Sequence, residues 1–449
     1  MKYSLFFLLI SVSSLLVAQT PFVIGDILVS GNSRTKKYII ERELPFKTGD
    51  SVNLTELVKQ FETARQQLIT TRLFNEAIIS LKSFRGSTVD ISIEVKERWY
   101  IFPLPYLQPI DRNLAEWAKQ GYGTDRLNYG FKFTHYNFSG RNDKLKLWLV
   151  TGYAKQIQFQ YEQPYADKNL KSGYRIGLSY SANKEINYAT INNQQQFTDS
   201  FAGIKRWNFS IEYNYRPALR TFHSFRIGYS LLEIVLGLNP EYYNEGKNKI
   251  SLPEIAYSLR HIQTDYIPYP LKGWTAEATI LKRGFQSYSR MWQINAKYHL
   301  AVPLGKKYFF GLQPQGLIRA PFNQPFYNTP LFGYGDLYLR GMEKYVIDGV
   351  GALLSRQTFR KEIITFNLPT YLRSRSHNNI PFRLYAKAYS DIGYGINKRA
   401  PENSLTNRML YSAGFGLDVV TFYDFVFRFD YSFNQLGENG LFLHLRNEF

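Results

Sequence analysis

The side chains that most often carry out catalysis are not arranged in catalytic patterns in this sequence. There is no cysteine among the 449 residues, which excludes disulfides, thiol nucleophiles and thiolate metal sites. Neither a Gly-x-Ser-x-Gly nucleophile motif nor a phosphate-binding glycine loop is present. The six histidines lack the spacing of metal ligands. They are His135, His223, His261, His299, His377 and His444. We therefore predict that the protein is not an enzyme and needs no cofactor.

Charged residues do recur in a long glycine-rich segment and in the two strand-like segments that follow it. The glycine-rich segment, residues 321–351, contains Arg340 followed by Gly341, and a loop of this length usually has a function or is disordered. Glu362 lies on the polar face of the next segment, and Asp391 lies on the polar face of the one after it. Carboxylates on such faces more often form structural ion pairs than acid–base couples. The chemistry open to these residues is charge pairing.

The elements that must position these charges alternate between apolar and polar residues from position 99 onward. In Trp207–Arg216 and Phe427–Asn434, every second residue is aromatic or aliphatic and the residues between are polar. Runs of this length exceed the strands of most soluble sandwiches and can cross a bilayer at a tilt. No stretch after the N-terminus is apolar over the ~18 residues that a membrane helix needs. We predict an all-β transmembrane barrel over 99–449, because backbone groups in lipid are satisfied only in helices or closed barrels.

Counting the alternating runs predicts about sixteen antiparallel strands, an even number as in bacterial outer-membrane barrels. The predicted strand centres are Phe102, Phe133, Leu147, Phe159, Ile176, Ile211, Ile227, Ile255, Ala278, Ile294, Gly311, Phe359, Leu384, Ala413, Phe427 and Leu443. The last strand ends on Phe449. A terminal aromatic residue resembles the signal that outer-membrane barrels present to their assembly machinery.

A smaller unit with a different pattern precedes the barrel over residues 22–98. A strand-like run, Phe22–Val29, ends at a turn formed by Gly31 and Asn32. Two helical segments follow, and the second has a single apolar stripe and a capping box of Asn53 and Glu56. Two more alternating strands complete the unit. This order predicts a compact two-layer α+β domain of the βααββ type.

The N-terminus and the charge of the chain predict where it acts. Residues 1–18 have the pattern of a secretory signal peptide, in which Lys2 precedes an apolar run and Ala18 supplies the small residue. The formal net charge of +19 would suit nucleic acid, but the basic residues alternate along predicted strands instead of clustering. For an exported protein an anionic membrane surface is the better counterpart. We expect outer-membrane lipid or lipopolysaccharide as a partner, and no nucleic acid.

The α+β unit resembles a POTRA domain in both its order and its motifs. The motifs that carry the resemblance are Val29–Asn32, Ile40–Leu44, Leu73–Phe74 and Val95–Arg98. The resemblance implies a periplasmic domain, marked by Gly31, Asn32 and Phe74, that binds extended chains by adding a strand to its sheet edge. The alternative to client binding is that the domain only spaces or braces the barrel. One copy is visible.

The barrel half carries motifs that resemble the BamA/TamA superfamily of outer-membrane assembly proteins and bacterial surface antigens. Leu339–Met342 is similar to the Val-Arg-Gly-Phe/Tyr tip of that superfamily's sixth extracellular loop. Tyr389–Gly393 is similar to its aromatic-x-Asp-x-Gly motif on strand thirteen. Met342 departs from the pattern, since an aromatic residue is usual there. Together with the POTRA-like unit, the resemblance covers nearly the whole chain after the signal.

The resemblance implies that the long loop folds back into the barrel and is held there by an ion pair. In the superfamily the loop arginine pairs with the strand-thirteen aspartate. A bidentate pair of this kind can offset the entropy lost when a long glycine-rich loop becomes ordered. We therefore expect Arg340, Gly341, Asp391 and Gly393, with Glu362 nearby, to form a clasp between loop and lumen.

The same resemblance implies a function in the outer membrane, with the POTRA-like domain in the periplasm. An assembly or insertion factor would receive unfolded outer-membrane or secreted clients, with accessory lipoproteins as possible partners. The seam between its first strand, Trp99–Leu107, and its last, Leu441–Phe449, would open laterally. One alternative is a secretion pore of the two-partner type, which usually carries two POTRA domains and a plug helix. The other is a passive structural or diffusion barrel, which would not need the POTRA-like domain.

Overall fold

The computed structural model describes residues 21–109, 123–198, 203–234, 242, 248–286, 289–369, 379–398, 403–421 and 425–444. The predicted signal peptide and Phe449 lie outside these ranges. Within them, no helix has the length and hydropathy needed to cross a bilayer. The described residues form a small N-terminal α+β domain followed by a large antiparallel sheet.

The N-terminal domain packs two helices against a four-stranded sheet. Its elements are β1 (Phe22–Ser30), α1 (Lys37–Glu41), β2 (Ser51–Val52), α2 (Leu54–Thr70), β3 (Phe74–Arg85) and β4 (Thr88–Glu97). The strand order is β2-β1-β4-β3, with β1 parallel to β4 and the other pairs antiparallel. The two-residue β2 is an addition to the expected βααββ order. It pairs with the first two residues of β1, and β3 is the long edge strand on the other side of the sheet.

Helix α2 forms because its apolar residues recur at helical spacing and meet the alternating face of β4. Leu57, Ala64 and Leu68 are buried against a core that includes Ile91 and Ile93. Burying each leucine or isoleucine side chain among them contributes ~1.5–3 kcal/mol. The expected capping box is absent. Asn53 occupies the N-cap position, but its side chain makes no capping hydrogen bond.

The second part is a sixteen-stranded antiparallel sheet that forms the barrel. Its strands on the N-terminal side are β5 (Ile101–Pro109), β6 (Leu127–Tyr136), β7 (Lys144–Gly152), β8 (Ala154–Gln163), β9 (Ser172–Asn183), β12 (Ile204–Ala218), β13 (Thr221–Ile234) and β14 (Lys249–Thr264). Those on the C-terminal side are β15 (Gly273–Arg283), β16 (Met291–Pro303), β17 (Tyr308–Ala320), β20 (Gly351–Pro369), β21 (Asn379–Ile396), β22 (Met409–Val420), β23 (Val426–Asn434) and β24 (Asn439–His444). Two small pairs stand apart, β10 (Asn187–Ile191) with β11 (Gln194–Phe197), and β18 (Pro330–Phe332) with β19 (Ile347–Asp348).

The two faces of the large sheet have opposite chemistry, as a barrel in lipid requires. On β23, Arg428, Asp430 and Ser432 are buried, while the alternating Phe429 and Phe433 are more than 40% exposed. Apolar side chains exposed in this way on strand after strand would be unfavourable in water but are stabilised by hydrocarbon. The predicted all-β transmembrane barrel is confirmed, and each of the sixteen predicted centres falls within a different strand.

The N-terminal domain contacts one end of the barrel. This contact identifies which end of each strand lies near the domain. The turn between β6 and β7 receives a backbone hydrogen bond from Lys36 to Gly140. The turn between β8 and β9 receives one from the Arg42 side chain to the Leu170 carbonyl. Long connections such as residues 321–350 therefore start from the opposite end. We call these the POTRA end, after the POTRA-like domain, and the loop end.

Candidate functional site

The connection between β17 and β20 folds back from the loop end into the barrel instead of extending away from it. Its apolar residues are buried together with residues of β20 and of the connection that follows β21. They are Leu331, Phe332, Leu337, Leu339, Met342 and Ile347. Met342, which takes the place of an aromatic residue, is one of the buried members. Hydrophobic packing thus offsets much of the entropy that ordering this loop costs.

Arg340 at the tip of the loop meets Asp391 on β21 inside the barrel. The Arg340 Nε donates to Asp391 Oδ2 at 3.0 Å, and its backbone N–H donates to the same oxygen at 2.9 Å. The Arg340 Nη2 contacts the other carboxylate oxygen, Oδ1. The guanidinium also donates to Thr358 Oγ1 at 3.1 Å and lies 4.0 Å from the ring centre of Tyr389. The loop is therefore held at both its backbone and its side chain.

The burial of this ion pair determines how much free energy is lost when it is broken. Arg340 is 1% exposed and Asp391 is fully buried. Two desolvated charges gain stability only when they are well paired, and removing one partner of a buried pair costs ~3–5 kcal/mol. The bidentate geometry, the added backbone donor and Thr358 satisfy most of the polar atoms. The pair can therefore act as a clasp that resists withdrawal of the loop.

Two glycines allow the loop tip to approach the strands this closely. Gly341 has a φ of +85°, and a Cβ there would lie 2.7 Å from the Cβ of Ser432 on β23. A Cβ on Gly393 would lie 3.1 Å from a methyl group of Leu339. The Gly341 carbonyl also accepts a hydrogen bond from Asn434 at 2.8 Å. Gly341 is required by both backbone conformation and space, and Gly393 by space alone.

Glu362 does not lie with Arg340 and Asp391, although it shares a polar face of β20 with Thr358. Its described hydrogen bonds come from the Tyr385 hydroxyl at 3.4 Å and from Thr365 at 3.3 Å. The reason is height along the barrel. Four residues of strand separate Glu362 from Thr358, about 13 Å at ~3.3 Å per residue. Periodicity identifies the face of a residue but not its height.

Arg356 occupies the position beside the clasp that Glu362 does not reach. Its Nη2 donates to the Asp336 carbonyl at 3.2 Å and also to the Tyr338 carbonyl. Its Nε lies 4.0 Å from Asp391 Oδ2. The sequence places Arg356 on the polar face of its strand, but only the register between β20 and β21, which sets it opposite Asp391, indicates this role.

A second buried charge cluster lies closer to the POTRA end, and the sequence analysis did not identify it. Lys387 Nζ is 2.6 Å from Asp418 Oδ1 on β22 and 2.6 Å from Asp430 Oδ1 on β23. The turn between β14 and β15 reaches across to this cluster, where the Tyr269 hydroxyl donates to Asp418 Oδ2 at 2.8 Å. Gly416 makes room, since a Cβ there would lie 2.6 Å from Asp430 Oδ1. The available signal was a lysine and two aspartates on neighbouring polar faces.

The POTRA end holds a third ion pair, which joins the N-terminal domain to the barrel. Glu43 is fully buried and accepts hydrogen bonds from Arg216 Nη2 at 2.7 Å and from the Tyr165 hydroxyl at 3.0 Å. Burial by itself raises the pKa of the Glu43 carboxyl, but Arg216 outweighs it and holds that pKa below its ordinary value. Arg42 also lies 4.6 Å from the Tyr165 ring centre. The two parts are therefore joined by buried, directional contacts.

The three residues predicted to mark the POTRA-like domain stabilise its fold. Gly31 has a φ of +82°, and a Cβ there would lie 1.9 Å from the Val95 carbonyl oxygen. Asn32 donates to the Thr35 carbonyl at 2.9 Å, and Phe74 is buried in the core. These residues hold the turn after β1 and the start of β3, and their side chains shape the domain.

A cavity of about 500 Å³ lies where the domain and the barrel meet. Gln67 and Arg72, at the end of α2, line it from the domain side, and Glu162, Arg175 and Arg260 line it from the barrel side. The lining of the cavity mixes polar and apolar side chains and carries both signs of charge. In the described part of the chain, no group of three or more metal-ligating side chains is close enough to hold a metal.

Comparisons with known proteins match both parts of the chain. Residues 22–98 match the family model for POTRA, described as surface antigen variable number repeat, and residues 137–355 match the Omp85 superfamily domain. The sequence is 23% identical over 244 residues to the outer membrane protein assembly factor BamA of Neorickettsia risticii. That alignment covers 54% of this chain and 30% of the relative, so the matched region spans less than a third of the relative's length.

Two solved structures show the same fold. BamA from Haemophilus ducreyi lacking POTRA domains 1–3 has a TM-score of 0.52 at 16% identity, covering 94% of this chain and 83% of that one. CdiB from Escherichia coli has a TM-score of 0.57 at 12% identity, covering 95% and 75%. At these identities the likeness establishes the arrangement of domain and barrel.

Proposed function

This chain is a non-enzymatic member of the Omp85 superfamily, located in the outer membrane with its POTRA domain in the periplasm, and we propose that it inserts client proteins into that membrane. In this proposal the POTRA domain collects an unfolded, strand-rich client, and the seam between β5 and β24 opens sideways to admit it. Folding supplies the free energy, because pairing strand edges and burying apolar strands in lipid are both favourable.

The observation that carries this proposal is the loop clasped inside the barrel. A chain threaded along the barrel axis would have to displace residues 321–350 and separate Arg340 from Asp391, at a cost of ~3–5 kcal/mol for the buried pair. Sideways insertion between β5 and β24 leaves the clasp in place. The buried loop therefore favours insertion over a threading pore or a passive channel.

The long edge strand of the POTRA domain is the proposed docking site for clients. β3 is twelve residues long and stands last in the sheet order, beside β4. Ile78 and Phe84 on this strand are each about half exposed. An extended client that pairs with this edge would gain backbone hydrogen bonds without needing a particular sequence. Gly31, Asn32 and Phe74 support this role by holding the domain in shape.

The cavity between the two parts is lined by residues of the POTRA domain and of barrel strands that include β7, β9 and β14. We propose unfolded outer-membrane or secreted proteins as clients, and accessory lipoproteins as partners of the POTRA domain. A cavity lined by both signs of charge suits a polypeptide backbone with mixed side chains.

Locking the seam tests the proposal directly. The chain has no native cysteine, so cysteine pairs can be scanned with one member in Ile101–Pro109 and the other in Asn439–His444. We expect the oxidised form of a crosslinking pair to lose the ability to insert a client barrel into liposomes, and to recover it on reduction. The fraction of client that resists added protease measures insertion.

A matched control pair is available within the barrel wall. Gln158 on β8 and Ser179 on β9 stand opposite each other in register, so a disulfide between cysteines at these positions joins strands that are already paired. It should leave insertion unchanged. Full insertion by seam-locked protein, or an equal loss in the control pair, would rule out lateral opening. A pore would go on conducting when its seam is locked.

A further inference from the structure

A cationic and aromatic cluster lies on the outer surface of the barrel, at the loop end. Lys282, near the end of β15, faces outward, and its Nζ lies 5.4 Å from the ring centre of Trp292 and 5.6 Å from that of Phe285. Trp292 stands opposite Lys282 on β16. Both rings are more than half exposed. We call these residues, together with Arg290, the rim cluster.

The charges of the rim cluster reinforce each other. Arg290 is a second cation close to Lys282, since it directly precedes Met291, and Met291 stands opposite Arg283, the residue after Lys282. Arg290 is exposed, but its backbone is fixed: its N–H donates to the Gln286 carbonyl, and its own carbonyl accepts from Gln324. Two cations placed at the same end of neighbouring strands repel each other and together attract an anion. The cluster is therefore complementary to a group with at least one negative charge.

The surface next to the cluster shows which kind of molecule that anion belongs to. Ile255 on β14, Ile280 on β15 and Ile294 on β16 face outward nearby and are each about half exposed. These side chains face the hydrocarbon of the membrane. Aromatic rings and lysines at the border of such an apolar band lie at the depth of lipid headgroups. An amphiphile with acyl chains and an anionic headgroup fits this arrangement.

The position of the POTRA domain identifies the leaflet. β15 starts from the turn after β14, and Ile267 of that turn lines the same cavity as Glu43 of the POTRA domain. β15 has eleven residues, about 36 Å at ~3.3 Å per residue, enough to cross the bilayer at a tilt. The rim cluster at its other end therefore borders the outer leaflet, away from the periplasm.

We propose that the rim cluster is a binding site for a phosphorylated glycolipid of the outer leaflet. Lys282 and Arg290 would hold a phosphate between them through charge-assisted hydrogen bonds. Trp292 and Phe285 would pack against the sugar and the first methylene groups. The inference does not depend on the proposed insertion activity, since it rests on the outer surface of the barrel and on the orientation set by the POTRA domain.

The opposite end of the barrel offers a matched control. Lys361 on β20 also faces outward, with its Nζ 5.4 Å from the ring centre of Tyr308 on β17. This pair has the same chemistry as Lys282 with Trp292, but it lies at the POTRA end and borders the inner leaflet. Replacing Lys361 removes a comparable cation from the outer surface without touching the rim cluster.

Native mass spectrometry of the purified full chain in detergent tests the site, with bisphosphorylated lipid A as the probe. We expect a variant with Lys282→Gln and Arg290→Gln to bind at least about tenfold less lipid A than wild type, because both charge-assisted contacts to phosphate are lost. Lys361→Gln should retain as much as wild type. A Lys282→Arg, Arg290→Lys variant keeps both charges and should also bind, which separates loss of charge from loss of fold.

Two further probes make the result decisive. Dephosphorylated lipid A should bind no better to wild type than to the double glutamine variant, and phosphatidylglycerol should compete poorly with lipid A. The proposal is overturned if the double glutamine variant binds lipid A like wild type, or if Lys361→Gln loses as much. It is also overturned if dephosphorylated lipid A or phosphatidylglycerol binds wild type as tightly as lipid A does.

Discussion

At the scale of single residues, Arg340 and Asp391 depend on each other for charge compensation, since neither is in contact with bulk water. We expect Arg340→Ala or Asp391→Ala to lower the free energy of unfolding by ~3–5 kcal/mol, because each leaves a buried charge without its partner. Urea unfolding in detergent measures this. Exchanging the two residues, Arg340→Asp with Asp391→Arg, should restore part of the loss.

An exposed aspartate in the same loop is the control for this change. Asp336 is exposed, so Asp336→Ala should change the free energy of unfolding by less than about 0.5 kcal/mol. If both single variants of the clasp unfold like wild type, the buried pair contributes nothing to stability. The proposed role of the loop in insertion would then lose its support.

Lys387 is the second residue whose removal leaves charges unbalanced. It lies between Asp418 and Asp430, both buried. We expect Lys387→Met to destabilise the barrel by ~3–5 kcal/mol, because both buried carboxylates then lose the ammonium group that lies 2.6 Å from each of them. A triple variant that adds Asp418→Asn and Asp430→Asn should recover much of this loss. Thermal unfolding followed by heat-dependent gel mobility would show both effects, and equal melting of Lys387→Met and wild type would contradict them.

At the scale of elements, the contact between the POTRA domain and the barrel turns should depend on pH through Glu43. The pKa of Glu43 is lower in the folded protein than its ordinary value of 4.5. Its contribution to the contact is therefore complete above about pH 4.5 and is lost as the pH falls through the lower, folded pKa. We expect the domain to separate from the barrel in acid, measured by fluorescence transfer between dyes on the two parts.

Neighbouring Glu41 provides the comparison for this prediction. It forms an exposed i,i+4 pair with Lys37, and such pairs contribute little. Glu43→Gln should weaken docking already at neutral pH and reduce its acid dependence, whereas Glu41→Gln should behave like wild type. An unchanged acid transition in Glu43→Gln would show that another group controls the contact.

At the scale of the whole molecule, removing the POTRA domain separates an insertion factor from a passive barrel. A variant lacking residues 22–98 should lose client insertion, because no edge strand remains to collect the client. The sixteen-stranded sheet has its own inward charge clusters and outward apolar face, so we expect it to fold in detergent. Client insertion into liposomes is the measurement, and heat-dependent gel mobility checks that the barrel has formed. Undiminished insertion by the shortened chain would contradict the proposed role of the domain.

The sequence alone determined the strands of the barrel and the faces of their residues. Alternation with a period of two follows from backbone geometry within each strand, so Trp207 and Phe209 can be assigned to the lipid face without knowing their neighbours. The order of the POTRA elements followed in the same way from helical and strand spacing. The motif around Arg340, through its resemblance to a known superfamily, also pointed to Asp391 as its partner.

Only the tertiary structure decided which charges meet across strands and between domains. Lys387 meets Asp430 because β21, β22 and β23 pair in one register, and a shift of two residues would separate them while keeping every face unchanged. The same reasoning explains why Glu362 lies away from the clasp. Glu43 and Arg216 are 173 residues apart in the chain, and no local pattern encodes such a distance. The face on which a residue lies depends on its neighbours along the strand. Its height along the barrel and its partners across strands depend on how the whole sheet pairs and curls.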